Sequence, residues 1–337
     1  MKYKYILFFV ILLISCQQKR EMQTSFYFWK TVYQSNVAEQ SYLQHFNSKK
    51  LFVRILDVDK DLNGGISPVA PIKFKDQFPA TLEMVPVVFI VNEVLKEIDD
   101  AQVKKLAANI VQFVEAKVKQ AGKSSYGELQ IDCDWTTTTR SNYFLLLKEI
   151  RQRLKNKTIS STLRLHQLKN QEKSGIPPVD KVLLMCYNMG NLRKYGTQNS
   201  ILEVQELKKY AGKNLAYYPM PIDVALPLFS WAVVFRNQNY AGISKRLKLA
   251  NLNANGVFTK MHNGLYQANT DLPEFGLYKN DEIRFEASKF EDIRQTTVYL
   301  DQYLSRKPLN LLFYHLDEQT LNNFKIYELE EITHILR

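Results

Sequence analysis

The segment Gly127-Glu128-Leu129-Gln130-Ile131-Asp132-Cys133-Asp134-Trp135 concentrates the chemically able side chains of this sequence. In an extended strand, successive side chains point to opposite faces, so Gln130, Asp132 and Asp134 share one side while Leu129, Ile131 and Cys133 share the other. Two carboxylates that close repel, which raises the pKa of one of them. A carboxyl kept protonated near neutral pH can serve as a general acid, although inward polar side chains also act as plain hydrogen-bond partners. Met185-Cys186-Tyr187-Asn188 forms a second group, with Met185 and Tyr187 on one face and Cys186 on the other. Alternation also sends Arg164 and His166 inward from one further run and Arg54, between Val53 and Ile55, from another, while Trp231 and His315 end two more. No H-x-H or H-x-x-x-H spacing supports a metal, and no cofactor motif is present.

These groups need a frame that brings strand ends together. Apolar, β-rich runs predict eight strands: Ser25–Trp29, Leu51–Leu56, Val87–Asn92, Glu128–Asp134, Ser161–His166, Lys181–Tyr187, Val224–Trp231 and Leu309–His315. Helical patterns lie between them at Val37–Phe46, Ala101–Ala121, Asn142–Leu154, Ile201–Tyr210 and Phe290–Leu304. In the second of these, Val103, Leu106, Ala107, Ile110, Phe113, Val114 and Val118 fall on one face, as in a helix packed outside a sheet. Near-continuous apolar strands alternating with helices predict parallel pairing, and closure into a (β/α)8 barrel is the economical solution. Residues 57–86 and 237–308 are too long for plain loops, and the second is read as an inserted α+β subdomain of a barrel spanning 25–337. Asp59-Lys60-Asp61-Leu62-Asn63-Gly64 resembles half a calcium loop, but the twelfth position is Ala70, so it reads as a solvated turn.

The formal net charge is +11, with the basic residues scattered rather than clustered, which favours a solvated basic surface over nucleic-acid binding. Beyond Cys16 the cysteines are Cys133 and Cys186, on strands two apart and so about 10 Å from each other, beyond the reach of a disulfide. At the N-terminus, two lysines within Met1–Tyr5 precede the unbroken apolar run Ile6–Ile14 and then Ser15-Cys16. This is a secretory signal too short for a permanent span. Its Leu13-Ile14-Ser15-Cys16 resembles the bacterial lipobox, which implies lipidation at Cys16, a tether over 16–24, and a protein held outside the cytoplasm; a monomer at the outer membrane is the expectation.

The strand pattern resembles the chitinase-type glycoside hydrolases of family 18. These are (β/α)8 barrels with D-G-x-D-x-D-x-E on strand 4 and M-x-Y-D on strand 6. Asp132 falls on the last aspartate of the first motif, Asp134 on its catalytic glutamate, and Gln130 on the middle aspartate. Met185-Cys186-Tyr187-Asn188 matches the second, with Asn188 in place of the aspartate. Ala225-Leu226-Pro227-Leu228-Phe229 is similar to the family's strand 7, and the whole chain looks similar to barrel lipoproteins whose strand 4 reads Q-x-D-x-D. The resemblance implies that Asp134 donates a proton, Asp132 tunes it and orients substrate, and Tyr187 supports the intermediate. Gln130, His166, Arg54, Asn188, Trp231 and His315 would contact a poly- or oligosaccharide. The departures are a carboxylate one methylene shorter at Asp134, an amide at Gln130, and no tryptophan ending strand 8.

Two classes therefore follow: a surface-anchored glycosidase, and a carbohydrate-binding lipoprotein on a barrel without catalysis. A second carboxylate about 5 Å from Asp134 would mark a retaining enzyme and one at about 6.5–9.5 Å an inverting one, whereas a mouth holding only the aspartate pair favours binding. The anchor is testable on its own. Cys16→Ala is expected to leave an unprocessed precursor that takes up no radiolabelled fatty acid. A processed, acylated Cys16→Ala protein would overturn the assignment.

Overall fold

In the computed structural model, which describes residues 19–254 and 256–337, eight parallel strands close on one another. They are β1 (Met22–Phe28), β2 (Lys50–Lys60), β3 (Glu83–Ile90), β4 (Glu128–Cys133), β5 (Thr158–Arg164), β6 (Lys181–Met185), β7 (Ile222–Pro227) and β8 (Leu309–Tyr314). Strand β1 completes the ring by pairing with β8 from Met22↔Leu309 to Phe26↔Phe313, and with β2 from Phe26↔Leu51 to Phe28↔Val53. This is the expected (β/α)8 barrel, and each of the eight predicted runs contributes one strand to its ring. Cys16 and the predicted signal segment lie outside the described residues.

Helices α1 (Val37–His45), α2 (Asp100–Gln120), α3 (Arg140–Arg153), α4 (Val204–Tyr210), α5 (Phe290–Asp301) and α6 (Ile326–Ile335) are the principal ones among those residues. The start of α2 shows why it forms there. Asp99 accepts from Gln102 N at 2.8 Å while the Gln102 side chain accepts from Asp99 N at 2.9 Å, a reciprocal cap worth about 1 kcal/mol. Its Val103, Leu106, Ala107, Ile110, Val114 and Val118 are buried, as the periodicity predicts.

The barrel floor is charged, which the apolar appearance of the strands does not suggest. Lys181 on β6 meets Asp223 on β7 at 2.8 Å and Glu128 on β4 at 3.1 Å. Lys50 on β2 approaches Glu128 at 3.4 Å, and Ser160 on β5 donates to it at 2.7 Å. Burial alone would lower the Lys181 pKa, but Asp223 and Glu128 outweigh it and hold the ammonium charged. Buried charges persist only when paired in this way. Below the floor, Arg20 fastens the entering chain to the end of the fold, donating to Ser305 O at 3.0 Å and to Leu336 O at 2.5 Å.

The predicted strand Val224–Trp231 is two strands in two sheets. Strand β7 ends at Pro227, and Ser230–Arg236 opens a five-stranded antiparallel sheet with Asn239–Ser244, Phe258–Lys260, Tyr266–Ala268 and Glu282–Ala287. The insertion thus begins ahead of residue 237, and α5 returns the chain to the barrel. It has its own core, including Val234, Leu252, Phe258 and Ile283. A left-handed pair, Asn237 and Gln238, makes the two-residue turn of its first hairpin. Residues 57–86 add Ile66–Val69, antiparallel to β2. At the hairpin tip, Asp61 accepts from Asn63 N at 2.8 Å and Gly65 N at 2.9 Å, the hydrogen bonds of a tight turn.

Cys133 and Cys186 are fully buried, unbridged, and raised in pKa by that burial. Peptides containing either thiol are expected to take up a maleimide probe only after denaturation. Rapid modification of the folded protein would mean that β4 or β6 is out of register, since a one-residue slip reverses every side chain.

Candidate functional site

A cleft of about 470 Å³ opens where the barrel strands end, lined by Asp132, Asp134, Met185, Tyr187 and Asn188 together with residues of β8 and the insertion. The C-terminal face is where loops of such a barrel converge on a ligand. The inward parity expected for β4 is seen in its partners. Gln130 accepts from the Tyr27 hydroxyl and reaches Ser160 Oγ at 3.5 Å, while Asp132 Oδ1 accepts from Thr162 Oγ1 at 2.6 Å. On the outer face, the α3 residue Tyr143 donates to Ile131 O at 3.3 Å.

The two aspartates have different surroundings. Asp132 is 7 % exposed, and its carboxyl is raised to about 7, first by burial and next by the charge of Asp134, with Thr162 and Arg164 opposing. The repulsion expected of the pair therefore acts on the inner carboxyl. Asp134 lies just beyond β4 with 48 % of its side chain exposed, and Arg164 at the end of β5 pairs with it at 3.4 Å. Arg164 also donates to Asn188 O at 2.9 Å, tying the end of β5 to the loop after β6. Asn188 adopts a left-handed backbone, and its side-chain Oδ1 is buried without a partner.

Aromatic rings form much of the wall. Tyr314, the last residue of β8, packs against Tyr187, Trp29, Phe229 and Tyr27 at centroid distances of 5.2, 5.5, 5.5 and 5.6 Å. Burial raises the Tyr187 pKa well above its ordinary value, so its hydroxyl stays protonated. Trp231 reaches the cleft from the insertion sheet rather than from β7. Its ring nitrogen donates to Glu286 at 2.9 Å, and Glu286 also accepts from Ser200 N at 2.9 Å. Arg284 binds Glu286 at 2.6 Å and the carbonyls of Leu192 and Lys194, so the insertion holds the loop after β6 in place.

Not every predicted contact residue reaches the cleft. Gln130 lies one layer below, occupied by Tyr27 and Ser160. Arg54 is buried and engaged: across a bulge in β2 its guanidinium binds Asp57, with Nε at 2.6 Å, and it donates to Ala70 O at 3.2 Å. His166 is not an inward strand residue. Gln167 accepts from Arg164 N at 2.8 Å and starts the helix Leu165–Lys169, which leaves His166 on an exposed turn outside the lining. His315 follows β8 and does line the cleft; burial, more than its charged neighbours, lowers its pKa to about 4, and its Nδ1 is buried without a partner. Arg164, expected to point inward, also lines it, as do Trp29, Tyr314 and the insertion's Lys245 and Lys248, which were not singled out. For Tyr314 the signal was present, since the polar Asn310 marks the inward parity of β8.

A third carboxylate, Asp317, lines the rim, but it caps a helix by accepting from Thr320 N at 3.2 Å and lies 3.7 Å from Lys30. Among the described residues no cluster of three His, Cys, Asp or Glu side chains is placed to hold a metal ion, and no helix is long and apolar enough to cross a membrane.

No protein-family model matches the chain, and no curated protein matches it by sequence. Solved structures do resemble it. The Bacteroides thetaiotaomicron chitinase aligns with TM-score 0.52 at 11% identity, over 93% of this chain and 96% of its own. The Bacillus cereus spore cortex-lytic enzyme SleL gives 0.51 at 13%, over 95% and 76%. The Ostrinia furnacalis Group IV chitinase in complex with allosamidin gives 0.51 at 12%, over 93% and 98%. The fold is therefore that of the chitinase-like (β/α)8 barrels.

The Asp132 carboxyl has a measurable signature. Its pKa is raised on folding, so the native protein binds this proton more tightly than the unfolded chain does. The associated stability is complete below the ordinary carboxylate pKa near 4 and is lost as pH rises through 7. Asp132→Asn removes the titration and keeps an acceptor for Thr162. Between about pH 5 and 8 the melting temperature of the wild type is expected to fall relative to that of Asp132→Asn. Parallel curves would show that Asp132 titrates normally.

Proposed function

We propose that this chain acts on a glycan at the bacterial cell envelope, tethered through lipid on Cys16, and that Asp134 is the proton donor to the scissile glycosidic oxygen. The supporting observation is the aspartate pair, one carboxyl buried and holding its proton close to neutral pH, its neighbour open to the cleft. Asp132 sits behind Asp134 as a proton-holding partner, and the protonated Tyr187 hydroxyl beside them can orient a bound sugar. Trp29, Tyr314, Phe229 and Trp231 offer faces for sugar rings, while Asn188 Oδ1 and His315 Nδ1 are unpartnered atoms suited to hydroxyl groups. The carbohydrate character of the ligand is also what the names of the structural neighbours suggest.

Asp317 is engaged as a cap, so the nucleophile in this scheme is the substrate's own acetamido group or an activated water. The same engagement, with the Arg164–Asp134 pair, favours a second reading in which the cleft binds a glycan without cleaving it. One variant separates the two. Asp134→Asn keeps size and hydrogen bonding but delivers no proton, so a hydrolase is expected to lose on the order of 10²–10⁴-fold in turnover while still binding. Turnover and calorimetric binding on a panel of oligosaccharides measure this. Unchanged turnover would remove Asp134 from the acid role, and an inert wild type that binds would leave the second reading standing.

A further inference from the structure

Matching each charge around the mouth to its partner leaves two cations over. Arg164 is taken by Asp134 at 3.4 Å. Lys30 is taken by Glu39 and lies 3.7 Å from Asp317, itself committed to its helix cap. Asp132 is buried below the rim, accepts from Thr162, and has its carboxyl pushed up by that burial, so it is a poor counter-ion for the mouth. Lys245 and Lys248 both line the cleft, directly after the insertion strand Asn239–Ser244, and neither side chain has an ion-pair partner among the described residues. Their charges are felt inside it, since both oppose protonation of His315, after burial and together with Lys30. On most surfaces an exposed lysine is simply solvated. These two stand over a concave wall that also holds the unpartnered Nδ1 of His315, facing a rim whose carboxylates are already engaged or buried.

We infer that the cleft selects an acidic glycan, with a carboxylate or sulfate of the sugar held by Lys245 and Lys248. This rests on the reading of the cleft as a sugar site and names the substrate class. A neutral sugar would leave both ammonium groups without a counter-charge. An anionic one satisfies both and joins them to the hydrogen-bonding set of Asn188 and His315. Exposed ion pairs are individually modest, so two of them should give a preference of about tenfold that salt screens away.

The test is calorimetry on the full chain in detergent with three probes: tetragalacturonate, which carries carboxylates, sulfated chitotetraose, and neutral chitotetraose. At least one acidic probe is expected to bind about tenfold more tightly than the neutral one, and the two acidic arms tell carboxylate from sulfate. In Lys245→Gln/Lys248→Gln the ratio of acidic to neutral affinity should collapse toward one. In the control Lys260→Gln/Lys279→Gln, which changes net charge equally away from the cleft, it should be kept. Equal binding of neutral and acidic probes would overturn the inference and leave the sugar site intact. A preference that survives the first double variant, or is lost equally in the control, would overturn it too. Failure of all three probes to bind would bring down the sugar-site reading with it.

Discussion

Inside the barrel, β4 lines up Glu128, Gln130, Asp132 and Asp134 in one column, and the neighbouring strands answer each of them. Ser160 and two lysines meet Glu128, Ser160 and Tyr27 meet Gln130, Thr162 meets Asp132, and Arg164 meets Asp134. Burying so many polar groups is costly unless every one finds its partner. The β4–β5 register is therefore fixed from the inside by hydrogen bonds as well as from the outside by packing. A slip by one residue would strand four polar groups among helices and drive Leu129, Ile131 and Cys133 into the polar interior. The placement of the aspartate pair at the mouth is a consequence of this column.

The column also explains how adjacent carboxyl groups come to differ. Asp132 lies below the rim, where water is largely excluded, and its one short hydrogen bond does not offset the loss of solvation. One residue pair further along, beyond the end of β4, the chain emerges and Asp134 meets both solvent and a guanidinium. A step of about 7 Å along a strand thus spans the boundary between barrel interior and cleft. The insertion completes that boundary. Glu286 holds Trp231 against the cleft, and Arg284 fixes the loop after β6, so the far wall is built by a second sheet.

Much of the barrel could be read from the sequence because its strands and helices obey local periodicities. The buried face of α2 and the parity of β4 and β6 both came from spacing alone. What could not be read depended on tertiary events. Pro227-Leu228-Phe229-Ser230-Trp231 looks like continued strand, yet the chain changes sheets there, with Leu228 N donating to Tyr314 O at 2.7 Å. His166 sits in a run that alternates like a strand, but a side-chain cap from Gln167 converts it to helix. Arg54 is expected to meet a sugar, but across a bulge it binds Asp57 of its own strand and stays out of the cleft lining. Arg164 was placed inward, while its pairing with Asp134 depended on inter-strand register. Lys245 and Lys248 belong to an insertion whose docking no periodicity encodes.

The chain enters the barrel at the end opposite the cleft. Arg20 is buried beneath the floor, bound to Ser305, Leu336 and Asp301, and β1 then runs upward through seven residues, about 23 Å, to the mouth. An anchor attached upstream of Arg20 would therefore hold the barrel like an upturned cup, base to the bilayer and opening to the surroundings. Polymers arriving from outside that surface would meet the opening first. Under the proposed anchoring, lipid headgroups would face only the closed base.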